Sequence, residues 1–168
     1  MQDLQNASIV QFDSLSDELS FKKKSKAVVL VGGCFDILHL GHVVFLEKAK
    51  QLGDFLVVAI ESDEFIKEIK KREPFHTQTQ RAYVLAALRS VDLVVEMPFL
   101  SESKRKDGYR KLVERVSPKF IAVSENDRMI DKKKEHANTV GAEVKVVTKI
   151  LESLSSSIIA KYGAMLSD

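Results

Sequence analysis

Ala27-Val28-Val29-Leu30-Val31-Gly32-Gly33-Cys34-Phe35-Asp36-Ile37-Leu38-His39-Leu40-Gly41-His42 is the stretch that decides the fold. Its first five residues are apolar without alternation and close on two glycines, the pattern of a strand buried on both faces. From Gly41 the apolar positions Val44, Leu46, Ala49 and Leu52 take helical spacing, and Gly53 fits a helix C-terminal cap.

The same rhythm repeats outward from this point. Phe55–Ile60 reads as a second buried strand, and a polar, basic stretch runs from Glu61 to Gln78. Gln80–Arg89 is helical, and Leu93–Glu96 is a third strand stopped by Pro98. A helix over Tyr109–Val116 is separated by Pro118 from a fourth strand starting at Phe120. Lys132–Val140 is helical and ends at Gly141, Val144–Val147 is a fifth strand, and Ser155–Met165 makes a last helix. Strands alternating with helices predict an α/β fold: a doubly wound, five-stranded parallel sheet with helices on both faces. Ligands of such sheets sit beyond the carboxyl ends of the strands, near the switch point. Residues 1–26 stand apart as an N-terminal extension, with 27–168 forming the domain. Leu4, Ile9, Phe12, Leu15 and Leu19 have helix-like spacing there, and Lys22-Lys23-Lys24-Ser25-Lys26 reads as a solvated charge run.

Composition narrows the class. The 168 residues are 45% hydrophobic and 30% charged, enough for a full core without staples. Lys and Arg number 26 against 24 Asp and Glu, a net charge of +2. That balance argues against a nucleic-acid or membrane-surface binder. The single cysteine, Cys34, can make neither an internal disulfide nor a cysteine zinc site. No apolar run is long enough to span a bilayer and no secretory leader is visible, so the expected setting is cytoplasmic.

The chemistry concentrates after the first strand. Gly32 and Gly33 permit close backbone approach by a phosphate, and a helix starting near Gly41 points its free N–H groups and positive dipole end at the same place. His39 and His42, three residues apart, fall on one face of a helical turn. Strand, glycine turn, His-x-Gly-His and helix start together make an anion cradle with two ring donors. A zinc pair lacks a third ligand, and no metal site is expected; Cys34 reads more simply as a small buried residue.

Gly33-x-Phe35-Asp36-x-x-His39-x-Gly41-His42 resembles the signature of the cytidylyltransferase-like nucleotidyltransferases. The likeness extends through Leu52-Gly53-Asp54, Glu61-Ser62-Asp63, Gln80-Arg81 to Val91-Asp92, and Ser155-Ser156-Ser157, covering about residues 27–162. The nearest subgroup is similar to the adenylyltransferase domain of ADP-heptose synthesis, with glycerol-3-phosphate and ethanolamine-phosphate cytidylyltransferases close behind.

The resemblance implies a Rossmann-like fold and transfer of a nucleotidyl group from a nucleoside triphosphate, ATP favoured over CTP, to a phosphorylated small molecule. Mg²⁺ would be carried with the nucleotide. It implies catalytic roles for His39, His42 and Lys70. Nucleotide contacts fall to Gly33, Cys34, Phe35, Asp36, Gly41, Asp127, Ser155, Ser156 and Ser157, and substrate contacts to Lys67, Lys71 and Arg81. For Arg81, a surface ion pair stands as an equal alternative. A homodimer is an option in this family.

Two departures keep other readings open. Ser124-Glu125-Asn126-Asp127 replaces the Gly-Gly-Asp common in the sugar-phosphate adenylyltransferases, and Ile150-Leu151-Glu152-Ser153 replaces the Arg-Thr-Glu-Gly of the cytidylyltransferases. A non-catalytic nucleotide-binding module is therefore the alternative from another class.

Overall fold

Phe55–Ile60 (β3) is buried at all six positions, as an uninterrupted apolar run between two helical layers must be. The computed structural model describes residues 7–15, 19 and 27–147. Six strands form one sheet: β1 (Ser8–Gln11), β2 (Val28–Gly33), β3, β4 (Leu93–Glu96), β5 (Phe120–Ser124) and β6 (Glu143–Val147). Their spatial order is β1-β4-β3-β2-β5-β6, and every pairing is parallel. The chain winds from β2 through β3 to β4 in one direction and reaches β5 and β6 in the other. The switch point lies between β2 and β5, whose register places Val29 opposite Phe120.

Among the described residues five α-helices cover the sheet: α1 (Leu40–Lys50), α2 (Asp63–Lys70), α3 (Gln78–Ala86), α4 (Glu102–Val116) and α5 (Ile130–Asn138). One face packs Val29, Val31, Leu56 and Val58 against Phe45, Leu46 and Ala49 of α1 and Ala82, Leu85 and Ala86 of α3. The other packs Val28, Leu30, Val57 and Val95 against Leu112, Val113 and Val116 of α4 and Ala137 of α5. Each fully buried large aliphatic stabilises the fold by about 1.5–3 kcal/mol. Among the described residues no helix is long and apolar enough to cross a membrane.

Three differences from the sequence reading have local causes. The sheet has six strands rather than five, because Ser8–Gln11 pairs in parallel with β4 at the sheet edge instead of continuing a helix. The apolar positions beyond it keep their purpose: Phe12, Leu15 and Leu19 are buried against the α4 side of the core. The Arg115 guanidinium lies over the Phe12 ring and donates to the Phe12 carbonyl at 2.8 Å. Second, the polar stretch after β3 contains α2, capped by Ser62 Oγ accepting from Phe65 N at 3.1 Å. Only Ile66 of this helix is buried, so its apolar signal is weak. Third, Gly53 is not a left-handed cap; among the described residues the glycine with positive φ is Gly141 (φ 70°). A Cβ on Gly53 would stand 2.3 Å from the Ala27 carbonyl oxygen, so it is the close approach to β2 that needs glycine here.

Candidate active site

The exit of β2 is built around an aromatic stack. Phe35 takes a left-handed backbone (φ 48°), an unfavourable conformation for a bulky residue. This turn folds its ring back over Gly33, where a Cβ would meet Phe35 Cε2 at 2.9 Å. A side chain at Gly33 would thus displace the ring of Phe35, a reason for glycine additional to phosphate access. The same ring meets His42 edge-on, with centroids 5.2 Å apart, and His42 stacks on His39 at 3.9 Å and 29°. His39 is the extended N-cap residue of α1 (φ −139°, ψ 170°), and its carbonyl accepts from His42 N at 2.8 Å and Val43 N at 3.2 Å. The helix therefore begins between the two imidazoles, and its positive dipole end lies with them beside the switch point. Gly41 is buried within that first turn.

Below the stack, buried polar groups fix the loop. The Asp36 carboxylate, 2% exposed, accepts from Phe75 N at 2.9 Å and His76 N at 3.2 Å, and pairs with Arg72. It is turned inward and staples residues 72–76 to the β2 exit. Arg81, 1% exposed, donates to the carbonyls of Cys34 at 2.5 Å, Glu61 at 2.9 Å and His76 at 3.1 Å, and to Asp63 Oδ1 at 2.7 Å. The surface ion-pair reading of Arg81 is corrected: its pair with Asp63 is an interior tie joining the exits of β2 and β3. Gln78 does the same for β3 and β4, donating to the carbonyls of Ile60 at 3.1 Å and Met97 at 2.8 Å. Burial, then the nearby Glu61 carboxylate, pushes the Cys34 thiol up to about 11, so it stays a neutral wall of the site.

The three lysines of α2 and its end are separated. Lys67 pairs with Glu73 at 2.9 Å, and Lys71, in a left-handed conformation at the helix end, lies 3.7 Å from Glu68. Both pairs are on the surface. Lys70 lies within electrostatic reach of Cys34 and Glu61, at the strand exits.

On the opposite face of the sheet stands a group that the sequence reading did not single out. Glu61 follows β3 directly, and its N–H donates to the Gly33 carbonyl at 3.1 Å. Its buried carboxylate accepts from the Tyr109 hydroxyl. Burial drives the Glu61 carboxyl above its ordinary value, opposed by the Tyr109 hydrogen bond and by the charges of Arg105, Lys133 and Lys70. Tyr109 is likewise driven up, by burial first and then by Glu61. Across the switch point, Asp127 accepts from Met129 N at 2.8 Å and Lys133 Nζ at 2.6 Å, closing the turn after β5. Glu61 was findable as the first residue past a strand; Arg105 and Tyr109 needed α4 to begin at Glu102 rather than Tyr109. Ser155, Ser156 and Ser157 lie outside the described residues.

Among the described residues no three His, Cys, Asp or Glu side chains gather as a metal cage. Asp36, Asp63 and Asp127 are each held by a cation, and Glu61 by Tyr109. This donor set fits Mg²⁺ arriving on triphosphate oxygens, where the ion keeps few protein ligands. A separate cavity of about 180 Å³, lined in part by Phe35, Leu38, His76 and Val84, lies on the α3 side of the loop. It is smaller than the ~300–1,000 Å³ usual for small-molecule sites.

Comparison with known proteins agrees with this architecture. The cytidylyltransferase-like family model matches residues 30–162, and the chain belongs to that family of nucleotidyltransferases. It is 39% identical over 127 residues to the FAD synthase of Thermococcus kodakarensis, covering 75% of this chain and 81% of that protein. It is 33% identical over 161 residues to the bifunctional protein HldE of Geotalea uraniireducens, covering 93% of this chain but 31% of that protein. A shorter match to HldE of Nitratiruptor reaches 53% over 74 residues, 44% of this chain and 16% of the relative. The chain thus spans under a third of these HldE relatives. Among solved structures, a lipopolysaccharide core biosynthesis protein from Thermoplasma volcanium superposes with a TM-score of 0.61 at 27% identity, covering 74% of this chain and 97% of that one. A pantoate-beta-alanine ligase from Francisella tularensis shares the fold at a TM-score of 0.67 and 16% identity, over 96% of this chain and 79% of that one.

Proposed function

We propose that this member of the cytidylyltransferase-like family transfers a nucleotidyl group, adenylyl in preference to cytidylyl, from a magnesium-bound nucleoside triphosphate to a phosphorylated small molecule. The observation that carries the reading is the stacked His39–His42 pair at the entrance of α1, beside the β2/β5 switch point. The FAD synthase and HldE relatives support the adenylyl preference.

An oxygen of the acceptor phosphate bonds to the α-phosphorus. The bond from that phosphorus to the α–β bridging oxygen breaks, and its electron pair leaves with pyrophosphate. The acceptor brings its own anionic nucleophile, so the chain needs no strong base. Its task is to hold two anions in line and to neutralise charge as the phosphorus becomes five-coordinate. His39 and His42 donate to the α- and β-phosphate oxygens, the first turn of α1 adds backbone N–H groups, and Lys70 screens the approach of the second anion. Gly33, Cys34 and Phe35 supply the backbone against which the phosphates lie. Asp36 and Arg81 act one step back, by fixing that loop.

A thermal-shift panel of ATP, CTP, GTP and UTP with Mg²⁺, followed by pyrophosphate release with sugar and polyol phosphates, tests this. A nucleotide at 100 times its dissociation constant stabilises by ~2.7 kcal/mol, and ATP is expected to give the largest shift. A larger CTP shift favours the cytidylyl reading. Binding without turnover on any acceptor favours a non-catalytic module, and no shift with any nucleotide overturns the proposal.

A further inference from the structure

Arg105 presents the feature of the molecule that the reading above leaves unused. It lies on α4, four residues before Tyr109, so both side chains leave the helix on one face. Its guanidinium carbon sits 5.5 Å from the centroid of the Phe65 ring on α2, which places the group between the two helices beside Glu61. Nε and Nη2 of Arg105 are both buried, and neither has a hydrogen-bond partner among the described residues. These two nitrogens form the side-on edge of a guanidinium, the fork that grips a carboxylate or phosphate with two parallel hydrogen bonds. Leaving such donors buried and unmet is costly, and the great majority of buried polar atoms avoid it.

The surroundings are those of an anion site. Lys70 on α2 and Lys133 on α5 lie, like Arg105, near enough for their charges to act on Glu61. Two of the neighbouring acceptors are already engaged: Glu61 by the Tyr109 hydroxyl and Asp127 by Lys133. Burial favours the neutral form of Glu61, which weakens its repulsion of an incoming anion. The Arg105 side chain as a whole is only half-buried, so rotation of its outer torsions carries the fork to a ligand without moving α4.

We infer that Arg105, assisted by Lys70 and Lys133, binds the phosphate monoester of the acceptor substrate at the α2/α4/α5 corner, across Glu61 from the His39–His42 stack. This rests on the proposed function, and it brings the two anions together beyond the carboxyl ends of the strands, the triphosphate entering from the α1 side and the acceptor phosphate from the α4 side. Glu61, whose N–H donates to the Gly33 carbonyl, joins the two approaches at the exits of β2 and β3.

The test uses the full chain and the variants Arg105→Met and Arg105→Lys, with inorganic phosphate and ribose 5-phosphate as probes and glycerate as the carboxylate comparison. Binding is measured by calorimetry in the absence of nucleotide. Arg105→Met is expected to weaken both phosphate probes by ~10–100-fold, the loss of a charge-assisted pair. Arg105→Lys recovers only part, because an ammonium lacks the fork, and glycerate binds more weakly than ribose 5-phosphate to the parent protein. The melting shift given by MgATP stays that of the parent in both variants. Unchanged phosphate affinity in Arg105→Met overturns the inference. So does equal loss of ATP and phosphate binding, or tighter binding of glycerate than of ribose 5-phosphate. If Arg105 serves only as counter-ion to Glu61, Arg105→Met lowers the melting temperature, the added Glu61→Gln restores it, and phosphate affinity does not move. Failure of the function itself is a separate result: the parent protein then shows no ATP shift, whatever Arg105 does.

Discussion

His39 and His42 stack ring on ring, with centroids 3.9 Å apart, because one is the extended N-cap of α1 and the other closes its first turn. Phe35, held in a left-handed turn, buttresses His42 from the far side. A donor in this position gains most when phosphate charge grows in the transition state. His42→Ala is expected to fold, to keep nucleotide binding, and to lose at least about a hundredfold in turnover. Steady-state kinetics beside thermal denaturation measures it. A packing role alone would instead lower stability and nucleotide binding together.

Arg81 makes four hydrogen bonds from a fully buried guanidinium, one of them to Asp63. Arg81→Met strands three carbonyls and a carboxylate, and roughly 3–5 kcal/mol of stability is expected to go, measured by urea unfolding. A residue whose role was substrate contact would leave the unfolding midpoint in place and raise KM for the acceptor.

Gly53→Ala places a Cβ 2.3 Å from the Ala27 carbonyl, a backbone atom that cannot swing away. The start of β2 must shift, at an expected cost of about 1–3 kcal/mol. Gly141→Ala tests the other kind of glycine: among the described residues beyond its chain neighbours no atom lies within 4 Å of its Cβ, and the expected loss there comes from φ 70°.

Glu61 links stability to pH. Its folded carboxyl titrates above the ordinary value of 4.5, so the folded state holds this proton more tightly than the unfolded chain does. The stabilisation is present in full below 4.5 and is lost as pH rises through the folded value. Glu61→Gln lacks this dependence. Its stability relative to the parent is expected to climb with pH from about 4.5 and then level off, as read from unfolding curves across that range. A difference that falls with pH would reverse the assignment.

The residues settled the parallel sheet because β2, β3, β4 and β5 are buried on both faces, and only uninterrupted apolar runs tolerate that. They also marked His39-x-Gly41-His42, since a strand end, a glycine turn and a helix start are local events. β1 escaped notice: three half-buried residues and an exposed one carry little period, and only pairing with Leu93–Glu96 makes them a strand. The direction of a charged side chain was not legible either. Asp36, Asp127, Lys67 and Lys70 look alike as residues in polar loops and helix ends, yet Asp36 points inward to residues 72–76, Lys67 pairs on the surface, and the charge of Lys70 acts on Glu61. Arg81 and Arg105 make the same point from opposite sides, one bonded to three backbone carbonyls and Asp63, the other with two nitrogens that meet no partner among the described residues. Helical period places a residue on a face, but three of the four acceptors around Arg81 come from segments 18 to 47 positions away. Only the packed chain brings those together.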